Sequence, residues 1–495
     1  MGFSEHSLIL KNDNTLWGCG YNYYGNLGLG DIADRKIFTK VTTNADNIKQ
    51  VYCGYSHTFI LKNDGTLWGT GNNYSGQLGL GDGHDRYAFT QITTNTDNIK
   101  DVYCGGSYTI ILKNDGTLWG CGANGSGQLG LGDTTNRTTF TQVTTNADNI
   151  KSVCCGSSHT LILKNDGTVW GCGHNGYGEL GLGNNTNKNT FTQITTNIND
   201  IKEIYCGGSH TFMLKNDSTL WGCGYNYNGQ LGLGDSDDRY TFTEIATNAN
   251  NIKSICCGSH HTLILKNDGS LWGTGRNNCS QLGLGDTTDR TIFTQVTTNI
   301  NNIKEIYCGA HHAFILKNDG TLWGTGRNDF GSLGLKDTNY RTTFTQITTN
   351  TNDIKSFPNR YEDISFITKI YDLNAGLVET LDTNNFRNIP VNKFEKIKIL
   401  YTNPTDTLIA GLISFDNKTT WKMFTGTSWT TISDTTPNNI LLNGMSMEKI
   451  NNLTKETLVQ GGFTGNINFR IVLKTNDDTK TPSITKIYIE YKKDN

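Results

Sequence analysis

The chain has 495 residues, of which 35 % are hydrophobic and 18 % charged, with a formal net charge of −3. That length accommodates two to four domains, and so small a net charge excludes a nucleic-acid surface built on bulk basicity. Glycine is frequent, at 57 residues, and proline rare, at 5, which excludes collagen-like, proline-rich disordered and coiled-coil chains. No apolar run is long enough for a transmembrane helix, so no membrane insertion is expected. The first residues include Glu5, His6, Lys11 and Asp13, a composition that a secretory signal peptide does not have.

A repeat dominates the chain from its start. Trp17, Trp68, Trp119, Trp170, Trp221, Trp272 and Trp323 follow one another at a constant spacing of 51 residues. A fixed period of this size predicts a propeller, solenoid or array. In the second unit, Phe59-Ile60-Leu61 leads into Asn63-Asp64-Gly65, and Thr66-Leu67-Trp68 leads out. Three turn residues ending in glycine predict a hairpin, because glycine adopts a positive φ without steric cost. Asn14 and Ser218 stand at that glycine position in the first and fifth units. Residues 89–93 and 99–103 alternate as half-buried strands do. Four short strands per unit, with no helical period, predict one propeller blade each.

Seven units of 51 end at residue 357, and all five prolines lie beyond. The first unit begins at its histidine and lacks the preceding Ile-Lys-x-Val strand. That strand occurs at the far end, as Ile354-Lys355-Ser356-Phe357. It is expected to complete the first blade, which closes the ring and removes its open sheet edges. The expected organisation is a seven-bladed β-propeller over residues 1–357 and a second domain over 358–495.

The repeated pattern G-x-x-H-T, followed by N-D-G-x-L-W-G-x-G-x-N-x-x-G-x-L-G-L-G-D, resembles the repeat of the RCC1 (regulator of chromosome condensation) family. The resemblance implies a seven-bladed propeller. It does not carry over a nucleotide-exchange activity. The family's founder acts through an inserted wedge and binds chromatin with a basic tail. Here no blade has an insertion and the N-terminus is not basic. Propellers host many unrelated functions.

Several recurring residues look chemical. Histidine returns at His6, His57, His159, His210, His261 and His312, with Tyr108 in the third unit, and a cysteine precedes most of them by four residues. Seven positions spread around a ring do not converge on one metal ion, and each His is expected to bond its blade to a neighbour. The thirteen cysteines read as small buried side chains of a chain made in a reducing compartment. Cys279, in a loop, is the expected reactive thiol. The L-G-L-G-D segment lacks the Lys-Ser/Thr and helix of a phosphate loop. Its Asp31, Asp82, Asp133, Asp235 and Asp286 read as turn residues, and Arg35, Arg86, Arg137, Arg239, Arg290 and Arg341 as scaffold. No catalytic set, metal site or cofactor motif stands out, so a non-enzymatic protein is expected.

Function is expected where the units differ. The segment before L-G-L-G varies most and is rich in Tyr, Asn and Gly, with two Arg. Tyr23, Tyr24, Tyr74, Tyr177, Tyr227, Arg276, Arg327 and Phe330 are the candidate ligand- or partner-binding rim. Such a composition supplies rigid aromatic area and adaptable hydrogen bonds. It suits sugar rings or a protein partner.

Beyond residue 357 the repeats and cysteines stop. Residues 396–399, 469–473 and 486–491 read as strands, and 446–460 as a short helix ended by Gly461-Gly462. A β-sandwich is expected, with Trp421 and Trp429 in its core. Trp421-Lys422-Met423-Phe424, Gly444-Met445-Ser446-Met447 and Thr481-Pro482-Ser483-Ile484 resemble a β-sandwich module of phage tail and adhesion proteins of low-GC Gram-positive hosts. That resemblance implies a tail-fibre or receptor-binding component of a virion. Its partners would be a bacterial surface glycan or protein, or tail and baseplate proteins. The other reading is a cytoplasmic scaffold that docks a protein such as a small GTPase.

Overall fold

A computed structural model describes residues 5–357 and, as backbone, eight strands between 389 and 491. The chain divides into two compact units, Met1–Arg360 and Tyr361–Asn495.

The first unit is an all-β, seven-bladed propeller. Each blade is a four-stranded antiparallel sheet. In blade 2 the strands are Ile48–Cys53, His57–Lys62, Leu67–Gly71 and Arg86–Ile92, paired in chain order. Blades 3 to 7 repeat this arrangement at the 51-residue period. Blade 1 is assembled from both ends of the unit. Ile354–Ser356 pairs with His6–Lys11, which is followed by Leu16–Gly20 and Arg35–Lys40. The expected closure is therefore present.

The burial pattern explains the sequence pattern. The second strand of each blade is buried along its whole length, and the outer strand alternates. Hydrophobic clusters form between blades. Leu8, Leu10 and Leu16 of blade 1 pack with Val51, Ile60 and Phe89 of blade 2. No blade can bury this surface alone, so the ring stands or falls as a whole. The repeated Trp holds the face of each blade. Trp68 donates its Nε1 proton to Thr66 Oγ1 at 3.0 Å and lies 4.4 Å under Lys62 Nζ, a cation–π contact. The hairpin glycine takes a positive φ, 85° at Gly65, and Asn14 and Ser218 are held there at 62° and 71°.

The reading of all cysteines as unpaired side chains is corrected. Cys154–Cys206 and Cys256–Cys308 are disulfides, each joining consecutive blades. Cys154 and Cys256 stand where Tyr52, Tyr103, Tyr205 and Tyr307 stand in other blades. That side chain faces the neighbouring blade, where Tyr52 packs in one cluster with Cys104. Replacing the ring by a thiol brings sulfur to the partner Cys, 52 residues on. The other nine cysteines form no disulfide, and eight of them are buried.

In the second unit, Asn466–Thr475 pairs with Ile389–Pro390 and Thr407–Ser414, and the sheet continues through Trp421–Phe424 to Trp429–Ile432. Met445–Ser446 pairs with Thr407–Ser414, and Phe394–Thr402 with Ser483–Tyr491. The three strands expected from alternation fall within these elements. The sandwich packing, the side chains of Trp421 and Trp429, and the helix expected beyond Ser446 lie outside the described residues.

Candidate binding rim

The features shared by all blades form a wall rather than a site. His57 Nε2 lies 3.1 Å from Thr109 Oγ1 of the next blade. The equivalent Thr58 hydroxyl donates to the Asn26 carbonyl at 2.8 Å, so its oxygen is left to accept the imidazole N–H of His6, 2.9 Å away. Tyr108 makes the same link by donating to the His159 carbonyl at 2.5 Å. His312 closes the ring on Ser7 Oγ at 3.1 Å. Burial pushes the proton affinity of these imidazoles down, to about 3 at His57 and about 4 at His159. They are neutral ties between blades. The glycine before each tie has no room for a side chain, since a Cβ at Gly54 would lie 2.1 Å from His57 Cε1.

The recurring Asp and Arg are scaffold of a specific kind. Asp82 and Arg86 pair at 2.7 Å, four residues apart, and five other blades repeat the pair. In blade 4 both members change together, to Asn184 and Lys188.

Two kinds of loop lie at one end of the blades. One joins the first and second strands, as residues 54–56 do. The other joins the third and fourth, as residues 72–85 do. Both meet the His57↔Gly71 end of the sheet. The second kind forms the rim, and its side chains gather into two aromatic clusters. Tyr21 lies 6.4 Å from Tyr23, 6.1 Å from Tyr24 and 4.9 Å from Phe330 between ring centroids. Arg327 caps Phe330 at 5.5 Å. Tyr225 lies 4.8 Å from Tyr177, 6.4 Å from Tyr227 and 5.6 Å from His260. Blade 3 contributes only Ala123, Gly125 and Ser126 at corresponding places. The rim is thus aromatic on one arc and bare on another.

Of the candidate residues, Tyr23, Tyr74, Tyr177 and Tyr227 are exposed, at 60, 86, 42 and 71 %. Tyr24, Arg276, Arg327 and Phe330 are half-buried. Tyr23, Tyr24, Arg327 and Phe330 come together, as do Tyr177 and Tyr227. Tyr74 stands apart from both clusters. The hub of each cluster, Tyr21 and Tyr225, is missing from the candidate set. So are Glu5, His260 and His311, each the residue before a blade histidine. The signal for them was the departure from Ser56, Ser107, Ser158 and Ser209 at that position.

Charge on the rim is local. Arg327 pairs with Glu5 at 2.7 Å and with Asp329 at 2.7 Å. His174 and Glu179 form a second pair at 2.7 Å. The hydrogen bond to Glu179 raises the His174 proton affinity. Burial opposes ionisation of Glu179, yet the bond from His174 and the neighbouring imidazoles hold it below the usual range. Cys279 is half-buried, and burial pushes its thiol up despite Arg327 and Arg276. It lacks the depressed pKa of a reactive thiol. Among the described residues there is no metal-ligating cluster.

The comparisons match the propeller. The profile of the RCC1-like domain matches residues 3–250. The RCC1 repeat matches residues 252–281 and 303–332, and a second profile of that repeat matches 268–316. The Ultraviolet-B receptor UVR8 of Arabidopsis thaliana is 31 % identical over 343 residues, which cover 67 % of this chain and 77 % of the relative. The human X-linked retinitis pigmentosa GTPase regulator is 31 % identical over 325 residues, 52 % of this chain and 31 % of the relative. The chain therefore spans only about a third of that protein. Prp20p from Saccharomyces cerevisiae, whose structure was described with its binding to Gsp1p and histones, superposes with a TM-score of 0.61 at 21 % identity. The match covers 71 % of this chain and 88 % of that one.

Proposed function

The chain belongs to the RCC1-like family, and on that premise we propose that it is a non-enzymatic scaffold that docks a protein partner on its rim. The observation that carries this reading is the asymmetry of the rim. The blades share one wall, yet the two aromatic clusters of the rim, together with Arg276, Arg327, His260 and His311, lie on an arc through blades 4 to 1, while Tyr74 of blade 2 stands apart. Aromatic and Arg side chains are the residues that dominate protein interfaces. A small GTPase is the partner class suggested by the name of the human relative, a GTPase regulator.

This reading takes precedence over the tail-fibre or receptor-binding role that the C-terminal resemblance implies. The relatives matched by the propeller include a receptor and a GTPase regulator, and they favour docking of proteins over recognition of a wall glycan. Crosslinking the full chain in a lysate of its source cells, followed by peptide mapping, tests the proposal. Crosslinks to a protein partner should concentrate on residues 21–24, 174–177, 225–228, 276–279 and 327–330. They should disappear in the Tyr225→Ala/Tyr227→Ala variant. Crosslinks spread evenly around the ring, or confined to the hairpin end of the blades, would overturn it.

A further inference from the structure

Two circles of seven side chains surround the sevenfold axis at the rim end. The inner circle is the residue before the blade histidine or its equivalent. The outer circle is the first residue of each rim loop. The outer residue's N–H donates to the inner residue's carbonyl, as Arg276 does to His260 at 2.8 Å and Arg327 to His311 at 2.9 Å. The two side chains of a blade therefore stand next to each other. Serine fills the inner circle in blades 2 to 5. Blades 6, 7 and 1 carry His260, His311 and Glu5 instead, beside Arg276, Arg327 and Tyr21.

Within this sector the carboxylates are already engaged. Arg327 holds both Glu5 and Asp329, and Tyr340 donates to Asp329 at 2.8 Å. Arg276 is half-buried, and its guanidinium has no hydrogen bond or ion pair among the described residues. The Nδ1 atoms of His260 and His311 are buried and also lack a partner. The three groups are neighbours. Burial lowers the proton affinity of both imidazoles, and the charge on Arg276 lowers it further in each. Unpaired polar groups held away from water are costly, and a ligand that pairs them recovers that cost.

We infer that Arg276, His260 and His311 bind a carboxylate side chain on an acidic segment of a protein partner. A carboxylate only accepts hydrogen bonds and has about four lone-pair sites, enough for a guanidinium fork and two imidazole N–H groups. The single unpaired guanidinium matches one negative charge. A phosphate dianion would meet the carboxylates of Glu5 and Asp329 with one charge uncompensated. The aromatic clusters on either side, around Tyr225 and Tyr21, seat the flanking side chains. This inference rests on the docking reading above and names the partner's chemistry.

The test is fluorescence anisotropy of a labelled glutamate-rich dodecapeptide with the full chain. Saturable binding is expected. It should weaken at least tenfold in Arg276→Gln, weaken with added NaCl as screened charges do, and persist in Ser107→Ala of blade 3. Thermal unfolding of Arg276→Gln alongside the unaltered protein checks that the fold is kept. Absence of binding, or equal binding by Arg276→Gln, would overturn the inference. So would displacement by inorganic phosphate at concentrations where acetate has no effect. If Arg276→Gln retains the crosslinked partner while Tyr225→Ala/Tyr227→Ala loses it, the docking reading stands and the carboxylate site falls.

Discussion

The inner wall and the rim are built from the same seven repeats, yet they obey different rules. In the wall, most residues that change are replaced by ones that keep the bond. Tyr108 still ties its blade to the next, and Ser7 still receives His312. On the rim, a residue that changes alters the chemistry, from Ser to His and from Ala to Arg. Repetition marks what every blade needs in order to stay in the ring. Departure from it marks what one arc can do that the others cannot.

Acid gives the largest separation between the two regions. His6, His57, His159, His210, His261 and His312 are buried, and burial depresses the proton affinity of each in the folded state. The unfolded chain, with histidines near 6.5, then binds more protons below that pH. The stability these groups contribute is complete above about pH 6.5 and is lost as pH falls toward about 3, the folded-state value at His6, His57, His210 and His312. Six histidines at about 1.4 kcal/mol per pH unit each give a slope of about 8 kcal/mol per unit, enough to unfold a typical protein by about pH 5. His174 on the rim runs the other way. Its raised affinity contributes stability at low pH that fades as pH rises. Thermal unfolding at pH 7.5, 6.5 and 5.5 reads the sum. A flat profile would mean that the wall histidines are not buried as described.

The disulfides sharpen the comparison next. Alkylation of the denatured, unreduced protein should label nine cysteines, and thirteen after reduction. Each bond closes a loop of about 50 residues, so reduction should cost up to about 4 kcal/mol per bond. Thirteen labelled cysteines without reductant would place the chain in its thiol form. A pair of glycines gives the next effect. Gly156→Ala would put a methyl 2.1 Å from His159 Cε1, whereas a methyl at Gly125 on the bare rim of blade 3 would meet no described atom beyond its chain neighbours within 4 Å. Gly156→Ala should cost about 1–3 kcal/mol and Gly125→Ala less than about 0.5, measured by urea unfolding.

The ring itself was legible in the sequence because every physical requirement recurs seven times. The spacing of Trp17 to Trp323, the hairpin glycines and the displaced Ile354-Lys355 strand each point to one closed propeller. The disulfides were less legible. Cys206 and Cys308 repeat like any other wall cysteine, and only the loss of Tyr at 154 and 256 betrays their partners. The candidate rim was found through variability, which identifies loops but not contacts. Tyr21 and Tyr225 became hubs only when neighbouring blades were brought together. His260 and His311 were masked by the wall histidines next to them in sequence. The Asp82–Arg86 pair was readable in principle, since Asn184 and Lys188 change in the same blade.

The smallest effect lies where the wall and the rim touch. Thr58, Thr109, Thr211 and Thr262 receive the histidine of the preceding blade, but blade 7 has Ala313 at that position. Among the described residues, His261 is left with no partner on either ring nitrogen. Ala313→Thr should let Oγ1 accept from His261 Nε2 while donating to the Gln281 carbonyl, as Thr262 donates to Gln230 at 3.0 Å. A gain of about 0.5–1.5 kcal/mol is expected, read as a shift in the urea midpoint. The missing bond lies at the interface of blades 6 and 7, next to His260 and His311. If Ala313→Thr stabilises the ring and leaves peptide binding unchanged, the gap is a tolerated loss in the wall. If it stabilises the ring but weakens binding, the loosened interface belongs to the rim, and the boundary between the two regions runs through His261.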